Sequence, residues 1–322
     1  MRSRDWPVCP SEIMNEPSPK LSICIPLYNK APYLARALSH IERQGLQDYE
    51  VVVVNNASTD NPQPILDEWK ARIPLQVHHL PITLSIHENW AFALGMARGD
   101  LVQLHLADDY LAKNGLTPLI TALETNAQLD YAIGRTLSVD ENEVEITEGP
   151  VAKYHHDLDR HRSDINPALN VVEKARFLEK MGLGENYFGD INPLLMRRRC
   201  VEFLRAPVRT TAPLFHMVPD LEIYIRLFCK FQGQFIDHVV IHSSVNRTST
   251  YVLAQNNPSL ALISYQIPGL QSLPFLWLHP EFQGVNRCMS FWTFPRRLWR
   301  FSKWLLKLHL KSRVQKFNSA CV

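Results

Sequence analysis

The chain lacks the residues that staple small or secreted folds together. Its six cysteines (Cys9, Cys24, Cys200, Cys229, Cys288 and Cys321) lie far apart and form no C-x-x-C. That excludes a zinc knuckle or a disulfide scaffold and favours a reducing compartment. No window approaches the run of about 20 apolar residues that crossing a bilayer requires. Residues 1–20 mix acids with prolines and hold no apolar stretch, so no signal peptide is expected there and a cytoplasmic protein is. There is no G-x-x-x-x-G-K-[ST], and the lone G-x-G (Gly182 to Gly184) lacks a third glycine and follows no strand, which excludes P-loop and dinucleotide-binding readings. Internal repeats and low-complexity tracts are absent. No acid occurs from Arg296 to the end of the chain.

What is present is a globular composition, 46% hydrophobic and 20% charged over 322 residues, enough to bury a large core. Leu21–Pro26 reads as a short buried strand ended by proline, and Val51–Val54 as a strand covered on both faces, as in parallel α/β sheets. Apolar residues at helical spacing predict a helix over 32–44, followed by helices over 65–73 and 87–98 and strands over 75–80 and 101–106. This alternation predicts a doubly wound, mostly parallel sheet flanked by helices, with ligands beyond the carboxyl ends of the strands. The polar loops 55–60 and 107–109 fall on that edge. Beyond residue 136 the pattern loosens into an acidic segment, 140–148, and a histidine-rich stretch read as solvated loop (His155, His156, His161). Helices are then expected over 171–181 and 220–231 and a strand over 235–241.

Asp108-Asp109, directly after an apolar strand, is the sharpest chemical feature. A Mg²⁺ or Mn²⁺ ion takes hard oxygen ligands, and on a nucleoside diphosphate it needs only one or two protein carboxylates. The bland alternative is a pair of solvated loop acids. The runs Pro26-Leu-Tyr28-Asn29, Val51 to Asp60, and Ala97-Arg-Gly-Asp100 through Asp109 decide between them, because their order and spacing resemble the N-terminal half of glycosyltransferase family 2. The resemblance implies a GT-A fold. It implies that Pro26, Tyr28 and Asn56 lie against base and ribose and that Asn29, Ser58, Asp60 and Asp108 complete the nucleotide-sugar site. Asp109 would anchor the metal, with Asp108 assisting. Asn55 and Leu106 depart from the family pattern, each standing where an acid is usual.

The second half continues the resemblance. Asn186 to Arg198 resembles the acceptor-side segment, and Pro219-Asp220-Leu-Glu222 the start of the helix that carries the general base. An inverting transfer needs a carboxylate to take the acceptor hydroxyl's proton, and Asp220 fits that role, with Glu222 in reserve. Asp220 also suits a helix cap, and Pro219 replaces a usual Glu. His242 and Arg247 fall where relatives carry a histidine or basic residue near the diphosphate, so His242 is a further metal candidate. The absent Q-x-x-R-W argues for one sugar per encounter. The tail from Arg296 to Lys311 sets bases on one side of a helical wheel and Leu298, Phe301, Leu305 and Leu308 on the other. Such a helix suits an anionic membrane surface or the protein's own core.

The organisation expected is an N-terminal extension (1–19), a nucleotide-sugar-binding half (20–135), an acceptor-binding half (136–250) and a C-terminal extension with the basic amphipathic helix (251–322). The function expected is metal-assisted transfer of a sugar from a UDP-sugar to a glycan or lipid-linked acceptor in polysaccharide assembly, with no nucleic-acid partner. A catalytically silent nucleotide-sugar-binding or scaffold protein, or a nucleotidyltransferase, are the alternatives.

Overall fold

The computed structural model describes residues 17–140, 142–148, 150–181, 189–205 and 219–244. These divide between two compact units, one holding residues 17–168, 189–205 and 226–244 and the other 169–181 and 219–225. The C-terminal tail, Arg247 and residues 182–188 lie outside the described residues.

The first unit is built on an eight-stranded sheet. Its opening half alternates strand and helix: β1 (Leu21–Leu27), α1 (Ala31–Glu42), β2 (Tyr49–Asn55), α2 (Gln63–Lys70), β3 (Leu75–His79), α3 (Ile86–Met96) and β4 (Leu101–Leu104). The short edge strand β5 (Tyr110–Leu111), helix α4 (Thr117–Thr125), strand β6 (Tyr131–Val139) and helix α5 (Pro150–Arg162) follow. After the second unit's α6 (Val171–Met181) come β7 (Leu194–Arg197) and α7 (Arg198–Arg205), then α8 (Pro219–Lys230) and β8 (Gly233–Ser244). The strand order is β3-β2-β1-β4-β7-β6-β8-β5. Strands β3, β2, β1 and β4 run parallel, β7 runs antiparallel between β4 and β6, β8 is parallel to β6, and β5 is antiparallel to β8.

The sequence explains the first half directly. Every residue of β1 is buried and Val51, Val52, Val53 and Val54 are fully so, the state expected of central strands with helices on both faces. Ser85 and Glu88 form a reciprocal capping box at the start of α3. Gly99 has a different use from the helix stop its position suggests: an added Cβ would lie 2.5 Å from the Ser22 backbone nitrogen, so only glycine lets this segment pack on β1. Beside it the buried Glu50 carboxylate accepts from Ser22 Oγ (2.6 Å), the Arg98 backbone N–H (2.8 Å) and Arg98 Nε (2.9 Å). This satisfied ion pair ties the Ala97-Arg98-Gly99 segment across β1 to β2 and sets where β4 begins.

One reading of the middle of the chain is corrected. The stretch holding His155 and His161 is the helix α5, and His155 is buried rather than solvated, its Nδ1 2.7 Å from Ser138 Oγ.

Candidate active site

Strands β1, β2, β3 and β4 deliver their carboxyl ends to one edge of the sheet, where Leu27 lies beside Asn55 and Asn55 beside His79. The loop after β1 and the loop after β2 are stitched together there. Asn56 N donates to Leu27 O (2.8 Å), Asn29 N to Ser58 Oγ (3.1 Å), and Thr59 N to Asn29 Oδ1 (2.8 Å). Asp60 Oδ2 accepts the N–H of Ala31, the first residue of α1, at 2.7 Å, so this helix is capped by a carboxylate from a different loop. Asn29, Ala57 and Asn61 hold left-handed φ angles of 51°, 52° and 54°, which asparagine tolerates and alanine adopts only under constraint.

Thus Asn29, Ser58 and Asp60, expected on the donor, build the loops that would hold it. Pro26 is buried inside β1 opposite Val54. Asn56, expected against base and ribose, is only 2% exposed, and its amide is committed at both ends to Leu84: Nδ2 donates to Leu84 O (3.0 Å) and Oδ1 accepts from Leu84 N (2.7 Å). It pins the loop before α3. Tyr28 presents a large open aromatic surface, being 46% exposed.

The acidic loop after β4 meets the same edge. Lys30, which follows Asn29 in the loop after β1, places Nζ 2.7 Å from Asp108 Oδ2, with both side chains roughly three-quarters buried. Asp109 is turned the other way. Its Oδ2 accepts from Asn192 Nδ2 at 2.5 Å, its Oδ1 from the Ser244 N–H at 3.1 Å, and the Ser243 hydroxyl also bonds to it. Burial, then the charges of Asp108 and Asp190, push its pKa well above the ordinary carboxylate value. Asn192 also accepts the Leu106 N–H at 2.6 Å, so one fully buried amide grips both ends of the 106–109 turn.

His242 goes elsewhere. It lies opposite Tyr110 in the β5–β8 pair, its ring edge-on to the tyrosine at 5.4 Å. Side chains alternate along a strand, so His242 faces away from the Ser243 side that meets Asp109. Burial lowers its pKa. The structure therefore does not bring His242 and Asp109 to one ion. Among the described residues no group of three or more His, Cys, Asp or Glu side chains is arranged to hold a metal.

Asp220 and Glu222 stand in the first turn of α8, and Asp220 Oδ1 accepts the Leu221 N–H at 2.9 Å. Both belong to the second unit.

Three residues of the first unit were not singled out from sequence: Lys30, Asn192 and Asp190. Asp190 accepts from Thr136 Oγ1 at 3.1 Å and lies 3.8 Å from both His155 Nε2 and the guanidinium of the fully buried Arg162. Gly189 beside it holds φ +75°, where an added Cβ would meet Arg162 at 2.5 Å. That glycine is the one local hint, since a left-handed φ with Arg162 so close admits only glycine.

Comparison with known proteins defines the class. Residues 22–176 match Glycosyl transferase family 2. Among curated relatives, Abequosyltransferase RfbV of Salmonella typhimurium is 32% identical over 113 residues, a stretch spanning only 34% of this chain and 34% of that protein. Among solved structures, TarS 1–349 of S. aureus superposes with a TM-score of 0.57 at 15% identity, covering 88% of this chain and 73% of that one. Mannosyltransferase PcManGT from Pyrobaculum calidifontis, in complex with GDP-Man and Mn²⁺, gives 0.52 at 15% identity over 94% of this chain and 78% of that one. These likenesses establish the shared α/β fold of GT-A type.

Proposed function

We propose that the chain transfers a sugar from a nucleoside-diphosphate donor to a glycan or lipid-linked acceptor, with inversion. The observation that carries this reading is the Lys30–Asp108 ion pair at 2.7 Å, because it puts the acidic loop against the paired loops after β1 and β2. A donor held between them has an aromatic face at Tyr28, hydrogen-bonding groups at Asn55 and His79, and a carboxylate at Asp108. Two solved proteins of the same fold carry nucleotide sugars, GDP-Man in PcManGT and UDP-GlcNAc in TarS, which supports this donor class.

The site suits a divalent cation in one respect. Asp108 is a partly accessible carboxylate already matched to a positive charge, the Lys30 ammonium. We assign the metal-facing role to Asp108 and a bracing role to Asp109, whose two oxygens already accept hydrogen bonds from the protein. Bound Mn²⁺ or Mg²⁺ would neutralise charge on the departing diphosphate. Lys30 would then exchange Asp108 for a phosphate oxygen. Asp220 is proposed as the base that takes the acceptor's proton.

A donor-hydrolysis assay with Mn²⁺ tests the reading. The chain should slowly release a nucleoside diphosphate from a nucleotide sugar, and Asp108→Ala should abolish the release. Binding without any turnover would favour the silent sugar-nucleotide-binding alternative, for which Asn55, Leu106 and Pro219 are the motivating departures. Release of pyrophosphate from a nucleoside triphosphate would favour a nucleotidyltransferase.

A further inference from the structure

We infer that Asn55 selects the donor's base, favouring one whose pairing edge carries an unprotonated ring nitrogen beside an amino group, that is cytosine or adenine rather than uracil or guanine. The inference rests on the nucleotide-sugar reading above and departs from the expectation of a UDP-sugar.

Asn55 ends β2 at the carboxyl edge, flanked in register by Leu27 and His79. The orientation of its amide is settled by its partners. The Ser58 N–H can only donate, so the group 3.0 Å from it is Oδ1, the acceptor. That leaves Nδ2 as the end of the amide that the turn does not engage. Its neighbour is His79 Nδ1 at 3.3 Å; since Nδ2 can only donate, Nδ1 is the accepting nitrogen of that ring. One amide hydrogen is thereby used, and the described residues supply no acceptor for the second. Asn56 offers no alternative reader, because both ends of its amide are bound to Leu84.

The edge therefore presents a hydrogen-bond donor, and Tyr28, 46% exposed on the adjoining loop, supplies an aromatic surface of the kind on which bases stack. Cytosine N3 and adenine N1 accept a hydrogen bond. Uracil N3 and guanine N1 carry a hydrogen and would meet Nδ2 donor against donor. An aspartate here would keep the Ser58 bond through one oxygen and present an acceptor through the other, reversing the preference. The fold itself does not fix the base, since PcManGT was solved with GDP-Man and TarS with UDP-GlcNAc.

Isothermal titration of the full chain with CDP, ADP, UDP and GDP, each with Mg²⁺, provides the test. Facing like groups in a partly dry site costs roughly 10- to 100-fold in affinity. CDP or ADP is therefore expected to bind about tenfold or more tighter than UDP and GDP, with the stronger of the two naming the base, and Asn55→Asp to invert the ranking. Wild-type binding of UDP or GDP equal to or tighter than both CDP and ADP would overturn the inference while leaving the glycosyltransferase reading intact. So would an unchanged ranking in a folded Asn55→Asp protein. Absence of binding by all four would overturn both.

Discussion

Replacing Asn192 by alanine should unfasten the turn that carries Asp108. The side chain makes two buried bonds, one to the charged Asp109 at 2.5 Å and one to the Leu106 N–H at 2.6 Å. A hydrogen bond to a charged group contributes about 1.5–3 kcal/mol and a neutral one about 1, so the loss should be about 3–4 kcal/mol. Urea unfolding monitored by tryptophan fluorescence would measure it. Affinity for a nucleoside diphosphate with Mg²⁺ should also fall by about tenfold or more, because Asp108 no longer starts from a fixed turn. Asn192→Asp extends the test through pH. It sets a second carboxyl against Asp109, whose pKa already stands above the usual range. Raising the folded-state value further means that stability is retained at low pH, where one proton can be shared, and lost as pH rises through the folded value. Asn192→Asp should therefore be the less stable variant at pH 8 and recover towards pH 5. A loss below about 1 kcal/mol for alanine, or identical pH profiles for both variants, would refute the clamp.

Three further outcomes are expected. Lys30→Met removes the ammonium that competes for Asp108, so free Mn²⁺, read by its electron paramagnetic resonance signal, should bind about two- to fivefold tighter without nucleotide; weaker binding would count against Asp108 as a metal-facing group. Asp220→Asn should cut kcat by about 10²–10⁴-fold while leaving the melting temperature and donor affinity close to wild type, since the asparagine oxygen can still accept the Leu221 N–H; a change confined to stability would reduce Asp220 to a structural role in the first turn of α8. His105 is fully buried, and burial lowers its pKa from 6.5 to about 4. Its contribution is thus present above pH 6.5 and lost as pH falls towards 4, up to about 3 kcal/mol, and His105→Asn should flatten that limb of a urea-stability profile.

Most of the first half was legible along the chain because its signals are local. Val51–Val54 is apolar without interruption and Leu21–Leu27 is apolar but for Ser22, so they had to be central strands whatever packed on them. The helices between them showed their period, and the polar loops had to emerge at the carboxyl edge. The middle was harder to read for a physical reason. His155 looks solvated in sequence, and what makes it and Arg162 core residues is a set of partners far along the chain, Ser138, Gly134 and Asp190.

The same distinction runs through the site. Residue types and spacing alone indicated the family resemblance, the mostly parallel sheet, and that Asp108 and Asp109 leave it on the edge where loops 28–30 and 55–60 lie. Which partner each of two adjacent acids takes could not be read from spacing, because neighbours in an irregular turn point apart. Only the tertiary structure decided this. Asn192 and Ser244, 83 and 135 residues away, take Asp109, and Lys30 takes Asp108. Sequence records which groups are available within a few residues, whereas hydrogen-bond partners separated by a hundred are chosen by the packing of the whole sheet.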